Sequence, residues 1–509
     1  MPTMTARLPF AMLVLLLLLP AAAAAQEFNL PKGPCGSAPP AKTHRRKGGE
    51  SFPPLPLPAT PLRRTEKKRP PAPPPLVAKI QFGGIKEVER DGEALRYYDW
   101  NKDPGDAAVL VGLANRRLGI RYTQKRGPLE AFPPDPARYP IYYFTGSDDF
   151  TLSERQVARL RKFLQSGGIV WGDTCFGDPD FFRAFTREMK RVLPGRKWRR
   201  LGPRHPLLHS HYDVERVGYT RPVPEAEGKD GRPVLMGLDL GDRTAVVLSR
   251  YDLSCGWDGH VREGAFSVHP QDARRLGVNM IAYALATWRL ARYQGTLKVF
   301  YEEDRKARGD FVFAQARLSG NWDTQPNAVA NLLKAVAART SAEVKFRRRA
   351  VDLVSEELQQ YPFLYLTGRH GFTLSDAQVR ALRHFLSSGG FLLASPSAGR
   401  REFDAAFRRE IGRVLEGSSL RKLPPEHPAY HIVHRLDEVR YADYVRSEGE
   451  QPPAHPLEGA RLGGVTAVVY CPYGLGSGWR GFEHPFGRDV APEDALKLGV
   501  NLVLYAMTH

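Results

Sequence analysis

The sequence predicts an α/β protein in which two doubly wound parallel-sheet domains follow one another. When the chain is shifted along itself by 222 positions, its C-terminal half aligns with its N-terminal half without a gap. The aligned pairs include Tyr139-Pro140 with Tyr361-Pro362, Gly167-Gly168 with Gly389-Gly390, His205-Pro206 with His427-Pro428, and Trp257 with Trp479. Within each copy, apolar strand patterns alternate with helical patterns, which is typical of a parallel sheet covered by helices on both faces.

The first 25 residues have the pattern of an export signal. Arg7 supplies a positive charge, residues 8–19 form an apolar core, and Ala23-Ala24-Ala25 precede Gln26 as a small-residue cleavage site. The apolar core is shorter than the roughly 20 residues of a membrane-spanning helix. We therefore expect a signal peptide over 1–25, no transmembrane helix after its cleavage, and an exported protein that is periplasmic or secreted. A retained signal anchor is the alternative, which Pro20 and the alanine run disfavour.

Residues 26–75 form a basic, proline-rich segment that we expect to be a disordered linker. From Gln26 to Lys79 there are 11 Lys and Arg residues against 3 Asp and Glu residues, which is +8 of the net charge of +19. Such a linker would attract anionic surfaces of the cell envelope through non-specific electrostatics, and the alternative is a solvated spacer without a partner. Nucleic acid is not expected as a partner of an exported chain with no recognisable binding module.

The first repeat is expected over 76–294 and a second, degenerate repeat over 295–509. Strands of the first repeat are predicted over 77–82, 120–123, 141–145, 169–172 and 244–249. Helices are predicted over 106–118, 153–166, 179–193 and 270–290. The second repeat is expected to open with a strand over 297–301. About five strands with right-handed crossovers make each domain a flavodoxin-like sheet.

The helix after Ser153 has clear signals at both ends. Ser153 and Gln156 have the spacing of a capping box, and the second repeat has the same spacing at Ser375 and Gln378. Gly167-Gly168 is expected to end the helix, because glycine adopts the left-handed C-terminal conformation without steric cost.

Ligands of doubly wound sheets bind beyond the carboxyl ends of the strands. This rule selects residues that follow predicted strands of the first repeat. The ligand-binding candidates are Thr145, Ser147, Asp148, Asp173 and Trp257.

The catalytic candidates are Asp173, Cys175 and His205. Cys175 lies between a buried strand and a helix, where a nucleophile elbow occurs, and His205 would be its base. The local sequence does not have the spacing Gly-x-Cys-x-Gly, however, and the second repeat has Ser395-Pro396-Ser397 at this place.

Two of the four cysteines are informative in the repeat alignment. Cys175 and Cys255 align with Ser397 and Ser477, so both are absent from the second repeat. Their joint absence favours a disulfide between Cys175 and Cys255, which an oxidising compartment permits. The alternatives are two unrelated losses or a shared site that the second repeat abandoned. Cys35 and Cys471 have no counterparts and are not assigned.

A histidine cluster in the first repeat contains His205, His209, His211 and Asp213, which are residue types that bind zinc. The second repeat keeps the first two histidines but has Val433 and Arg435 at the last two positions. We therefore expect structural histidines, no metal and no cofactor.

Several motifs together resemble one bacterial family. They are Thr145-Gly146, the Gly167-Gly168 helix end, residues 172–177, His205-Pro206, residues 243–249, residues 254–257 and residues 276–279. The chain resembles, from about 77 to 509, the family catalogued only as domain of unknown function 4159. The resemblance implies an α/β fold related to class I glutamine amidotransferase-like proteins, and it implies no established activity. Neither repeat has the Cys-His-Glu arrangement of an amidotransferase.

We expect a non-catalytic, exported protein that binds an unknown ligand or protein of the cell envelope, with the more intact site in the first repeat. The alternative is a hydrolase that acts on an envelope or carbohydrate substrate through Asp173, Cys175 and His205. A third possibility is an assembly module that is tethered by its basic linker.

Overall fold

The structure is a computed structural model that describes residues 72–90, 93–224, 227, 231–260, 262–294, 311–319, 321–325, 327–346 and 348–509. The predicted signal peptide, nearly all of the predicted linker and the predicted strand over 297–301 lie outside these residues. Among the helices that are described, none is long and apolar enough to cross a lipid bilayer.

The first repeat contains a seven-stranded mixed sheet. Its strands are β1 (Pro75–Gln81), β4 (Thr123–Pro128), β5 (Ile141–Gly146), β6 (Ile169–Thr174), β7 (Arg199–Arg200), β8 (Leu235–Leu240) and β9 (Arg243–Ser249). Two further strands, β2 (Ile85–Arg90) and β3 (Glu93–Tyr98), form a separate hairpin. The strand order is β4-β1-β5-β6-β9-β8-β7. The first five strands in this order are parallel, whereas β8 pairs antiparallel with β9, and β7 pairs antiparallel with β8.

Helices cover both faces of this sheet. They are α1 (Asp106–Leu118), α2 (Glu154–Gln165), α3 (Pro179–Val192), α4 (Ser254–Asp258) and α5 (Pro270–Gln294). Apolar residues of α1, α4 and α5 form one core with one face of the sheet, and those of α2 and α3 form a second core with the other face.

The second repeat has the same architecture. Its elements are β10 (Ala314–Ala316), α6 (Ala328–Arg339), β11 (Arg349–Val351), β12 (Phe363–Leu366), α7 (Asp376–Ser387), β13 (Phe391–Ala394), α8 (Arg401–Leu415), β14 (Arg421–Lys422), α9 (Asp443–Ser447), β15 (Glu458–Leu462), β16 (Val465–Tyr470), α10 (Gly476–Trp479) and α11 (Pro492–Thr508). The strand order, β11-β10-β12-β13-β16-β15-β14, matches that of the first sheet, and this repeat also has a core on each face. The predicted fold class of two tandem α/β domains is therefore confirmed.

The local predictions were accurate where side-chain signals mark the ends of elements. α1 has the predicted bounds, and both capping boxes are present at Ser153 and Ser375. Gly167 and Gly389 have positive φ values of 110° and 92° after their helices. The strand predicted over 120–123 was wrong in its bounds, because β4 begins at Thr123. The antiparallel strands β8 and β7 were not predicted.

The first strand of the second repeat departs from the 222-residue offset. Ala78 of β1 pairs with Tyr142, and Ala314 of β10 pairs with Leu364 in the equivalent place. Ala314 lies 236 positions after Ala78, which is 14 more than 222. The β2–β3 hairpin occupies the 14 positions 85–98, so it is an insertion that belongs to the first repeat alone. β10 therefore has, in the second sheet, the position that was predicted for a strand over 297–301.

Candidate functional site

The carboxyl edge of the first sheet carries a buried cluster of charged groups. The Asp99 carboxylate accepts hydrogen bonds from the backbone N–H groups of Ser147 and Asp148, at 3.1 Å each. Its Oδ1 lies 2.6 Å from Nζ of Lys102, which also donates to the Ser147 hydroxyl. Gly146 is required at the end of β5, because a Cβ there would collide with the Asp99 carboxylate. The candidates Ser147 and Asp148 therefore belong to one network with two residues that sequence reasoning missed.

The β2–β3 hairpin covers this network. Nζ of Lys86 lies 3.1 Å from Oδ2 of Asp148, and Nζ of Lys102 lies 5.4 Å from the centre of the Tyr97 ring. Burial acts to raise the pKa of Asp148, but the ammonium groups of Lys102 and Lys86 outweigh it and hold the pKa below its usual value. The insertion in the first repeat thus closes the edge at which we expected a ligand.

Asp173 organises the loop that follows β9. Its two carboxylate oxygens accept hydrogen bonds from the backbone N–H groups of Leu253 and Ser254, both at 3.0 Å. The side chain is fully buried, and burial together with the neighbouring Asp252 carboxylate raises its pKa well above the usual value. Thr145 is buried nearby at the end of β5. Asp173 is therefore built into the interior, although it follows the predicted strand.

Cys175 and Cys255 lie close together, as the alignment suggested. Cys175 opens a 3₁₀ turn after β6, and Cys255 lies in α4 after β9. Their sulfur atoms and a carboxylate oxygen of Asp252 all lie within 4.8 Å of one another, and all three residues are buried. No disulfide joins the two cysteines in the structure.

His205 does not lie beside Cys175. Its Nε2 is 2.9 Å from Oγ1 of Thr244 at the start of β9, whereas the hydroxyl of Thr174, next to Cys175, donates to the carbonyl of Ser249 at the end of β9. Five residue steps along a strand span about 16 Å. The expected pairing of Cys175 with His205 as its base is therefore corrected: the two residues lie at opposite edges of the sheet.

The elbow after β6 also differs from a nucleophile elbow in its backbone. The positive φ of 61° falls on Phe176, the residue after Cys175, and the equivalent Ala398 has a φ of 50°. The strained conformation is thus common to both repeats and does not depend on the cysteine.

Trp257 is a core residue, which corrects its assignment as a ligand-binding candidate. Its ring packs against Tyr143 and Trp171 with centroid distances of 5.7 and 5.1 Å, and its Nε1 donates to the carbonyl of Ala273.

The other residues of the predicted histidine cluster do not come together at one site. His209 bonds with Asp213 at the surface, and the His211 ring packs on Tyr212.

The carboxyl edge of the second sheet is covered by the first repeat. Asp242, in the turn between β8 and β9, lies 3.0 Å from Arg480, and Gln325 donates to the same carboxylate oxygen at 3.2 Å. On the same side, Oδ2 of Asp239 lies 2.6 Å from Nε2 of His370. This contact between the two domains was not predicted.

A basic cleft lies beside that contact. It comprises two adjoining cavities of about 630 and 220 Å³ between the second sheet and the β7–β9 side of the first. Eight Lys and Arg side chains line them, against the two carboxylates Asp239 and Glu402. The basic residues are Arg196, Lys197, Arg199, Arg200, Arg204, Arg369, Arg400 and Arg409.

The deepest cations of this cleft come from the second repeat. Arg369 is 3% exposed, and its Nη1 has no hydrogen-bond partner among the described residues. Nε and Nη2 of Arg400 are also buried without a partner in that part of the chain. Burial, followed by the charges of Arg369 and Arg400, lowers the pKa of His205 at the cleft wall well below its usual value. His205 is therefore neutral at pH 7.

One signal for this cleft was present in the aligned sequences. Arg369, His370 and Arg400 align with Ser147, Asp148 and Asp178. The second repeat thus has two arginines and one histidine where the first has acidic and neutral side chains, and the description of that repeat as degenerate missed this change.

These features define a tandem α/β protein with a basic cleft between its domains. The family model described as "Domain of unknown function (DUF4159)" matches residues 88–285 and 312–507. The chain belongs to this family and contains two copies of its domain, as the resemblance implied.

Further comparisons add little. No curated protein matches the chain. One solved structure, a putative phosphosugar isomerase from Silicibacter pomeroyi DSS-3, is similar at 11% identity, over 63% of this chain and 75% of that chain, with a TM-score of 0.16. A similarity this low carries no argument about function.

Proposed function

We propose that the protein is exported and binds, without catalysis, a ligand with phosphate or carboxylate groups in the basic cleft between its repeats. The observation that carries this proposal is the pair Arg369 and Arg400, whose buried guanidinium nitrogens have no partners among the described residues. Buried polar groups are nearly always hydrogen-bonded. A planar guanidinium group is well suited to bind carboxylate or phosphate oxygens through paired hydrogen bonds.

The charge balance of the cleft supports an anionic ligand. Asp239 is the carboxylate closest to Arg369, with Nε of Arg369 3.6 Å from its Oδ2, and it is also bound to His370 and Thr244. The lining carboxylates Asp239 and Glu402, together with Glu410, which pairs with Arg409, are too few to balance the eight basic side chains of the cleft. A low-dielectric cleft of one charge sign raises the local concentration of oppositely charged ligands.

Binding is favoured over hydrolysis by the positions of the former catalytic candidates. Cys175 and Asp173 are buried, and His205 lies at the other edge of the first sheet. His205 lines the proposed cleft instead, as a neutral side chain that bonds with Thr244. The proposed relationship to class I amidotransferase-like proteins is accordingly limited to the fold.

The proposed location follows from the export pattern over 1–25 and the basic segment over 26–75. The linker would hold the domains near anionic surfaces of the envelope, and the cleft would provide the selective contact. These two contributions differ in salt dependence, because exposed charges are screened more strongly than buried ones.

Calorimetric titration with inorganic pyrophosphate and with tripolyphosphate tests the proposal. The protein is the chain without residues 1–25, at low ionic strength. We expect binding that becomes at least tenfold weaker in Arg400→Gln and in Arg369→Gln, which corresponds to about 1.4 kcal/mol. Arg435→Gln is the matched control, because Arg435 is exposed and pairs only with Asp437 among the contacts that the structure describes.

A second control separates the linker from the cleft. Replacement of Lys67, Lys68 and Arg69 by Gln removes three positive charges of the linker, and the affinity for both anions should stay at the wild-type value. The proposal is contradicted if neither anion binds to the wild type. It is also contradicted if Arg369→Gln and Arg400→Gln bind the anions as tightly as the wild type does, with an unchanged urea midpoint showing that both variants are folded.

A further inference from the structure

A buried group of two cysteines and one aspartate lies apart from the basic cleft, at the carboxyl edge of the first sheet. Cys175, Asp252 and Cys255 are 2%, 0% and 1% exposed, and the three possible ligand atoms lie within 4.8 Å of one another. Asp252 lies in the loop after β9 and Cys255 in the helix α4 that follows it, and Cys175 opens the 3₁₀ turn after the neighbouring strand β6. We propose that these three residues bind a zinc ion, with two thiolates and one carboxylate as ligands.

The donor set and the spacing fit zinc. Zinc prefers cysteine, histidine and carboxylate ligands, with Zn–S distances of about 2.3 Å and Zn–O distances of about 2.0–2.2 Å. In a tetrahedral site, such distances place ligand atoms about 3.5–3.8 Å apart. The observed upper limit of 4.8 Å is about 1 Å above this spacing.

The carboxylate is held in place by groups around the site. Oδ2 of Asp252 accepts a hydrogen bond from the backbone N–H of Phe176 at 2.7 Å, and its Oδ1 accepts from the N–H of Cys255 at 3.0 Å. The hydroxyl of Ser254 donates to the same Oδ1 at 3.1 Å. The Asp173 carboxylate holds the same loop by accepting hydrogen bonds from the backbone N–H groups of Leu253 and Ser254. Outer hydrogen bonds of this kind orient the ligands of protein metal sites.

The second repeat provides an internal comparison. Its backbone keeps the same features, namely the positive φ at Ala398, the short helix α10, and a bridge from Gly474 to Asp489 that matches the bridge from Asp252 to Ser267. The three ligand positions are nevertheless Ser397, Gly474 and Ser477. A side chain at Gly474 would collide with Asp489, so the place of the Asp252 carboxylate is filled by another residue.

This pattern distinguishes a metal site from a disulfide. Loss of a disulfide explains two cysteines replaced by serine, but it does not explain the simultaneous loss of Asp252. Loss of a three-ligand site explains all three changes.

Zinc content and cobalt substitution test the proposal. The chain without residues 1–25 is prepared under reducing conditions with Cys35→Ser as the background and is loaded with Zn²⁺ or Co²⁺. We expect about one Zn²⁺ per chain and sulfur-to-cobalt charge-transfer absorption. Both signals should be lost in Cys175→Ser and Cys255→Ser, and the affinity should fall at least tenfold in Asp252→Asn.

The substitutions to serine are mild, because the second repeat folds with serine at both positions. Cys471→Ser is the matched control, since Cys471 is buried in the second repeat outside the group, and it should keep the full zinc content. The proposal is overturned if the reduced chain binds no zinc, or if Cys175→Ser and Cys255→Ser retain it. It is also overturned if peptide mass spectrometry of the exported chain shows a Cys175–Cys255 disulfide. None of these outcomes bears on anion binding, which uses different residues.

Discussion

Asp242 and Arg480 form a buried ion pair between the two repeats, with 3.0 Å from Oδ2 to Nη1 and side-chain exposures of 0% and 2%. Burial acts to raise the pKa of Asp242, but Arg480 and His484 outweigh it, and the pKa lies below its usual value. The two residues are not equivalent in the alignment, since Asp242 matches Gly464 and Arg480 matches Asp258. The repeats therefore associate asymmetrically, with the amino edge of one sheet against the carboxyl edge of the other.

Asp242→Ala should strongly destabilise the protein. Removal of one partner from a buried ion pair leaves an uncompensated charge, at a cost of about 3–5 kcal/mol. Urea unfolding monitored by tryptophan fluorescence measures the change. Asp437→Ala is the control, because its ion pair with Arg435 is exposed and should contribute little. An equal midpoint for Asp242→Ala and the wild type would contradict the importance of this contact.

Asp489 should make stability fall with rising pH. Burial is the largest cause that raises the pKa of Asp489 in the folded protein to about 7, well above the usual aspartate value of 3.8. Between these pH values the folded protein retains the proton and the unfolded chain does not. The contribution of Asp489 to stability is therefore full below pH 4 and is lost as the pH rises towards 7, by about 1.4 kcal/mol per pH unit.

The pH effect is isolated by comparing the wild type with Asp489→Asn. The difference in unfolding free energy between the two proteins should change across pH 4–7 and level off above pH 7. Asp437→Asn, at an exposed position, should leave the pH profile as it is in the wild type. A constant difference between Asp489→Asn and the wild type would show that Asp489 is ionised throughout.

Gly168→Ala should destabilise the first repeat through overpacking. A Cβ at Gly168 would collide with the Phe163 ring, which stacks on Tyr142 at a centroid distance of 3.7 Å and cannot move freely. Overpacking of a core costs about 1–3 kcal/mol. Gly84→Ala is the matched control, since a Cβ there meets no atom of the described residues within 4 Å. Equal urea midpoints for the two variants would refute the steric argument.

The repeat and the helix ends were predictable because short-range signals encode them. The capping boxes at Ser153 and Ser375 and the glycines at 167 and 389 act within a few residues, and the alignment samples each signal twice. The β2–β3 hairpin was not found, because a gap-free alignment from Trp100 onwards does not detect an insertion that precedes it. The local sequence pattern does not indicate the antiparallel strand β8. It also does not indicate the contact of Asp242, in the turn between β8 and β9, with Arg480.

Among the candidate site residues, too, those marked by local sequence were predicted and those brought together by tertiary contacts were not. Ser147, Asp148 and Cys175 follow strands, Asp173 lies near the end of β6, and all four were found because they lie at the carboxyl ends of strands. Asp252 was not among the candidates, because its approach to Cys175 depends on the pairing of β6 with β9. Arg369 and Arg400 were overlooked, because their role depends on the position of the first repeat against the second.

Removal of the β2–β3 hairpin should expose the thiol of Cys175. Deletion of residues 85–98 joins Gly84 to Asp99 and reproduces the shorter connection of the second repeat, so the sheet should still form. Tyr97 covers Lys102, whose Nζ lies 5.7 Å from the ring of Phe176, the residue next to Cys175. In the reduced, chelator-treated protein, alkylation of Cys175 by iodoacetamide, followed by peptide mass spectrometry, should become at least tenfold faster. Lys86→Ala removes only the ion pair with Asp148 and should have a small effect. An unchanged alkylation rate in a folded deletion variant would mean that the hairpin does not shield the carboxyl edge of the first sheet.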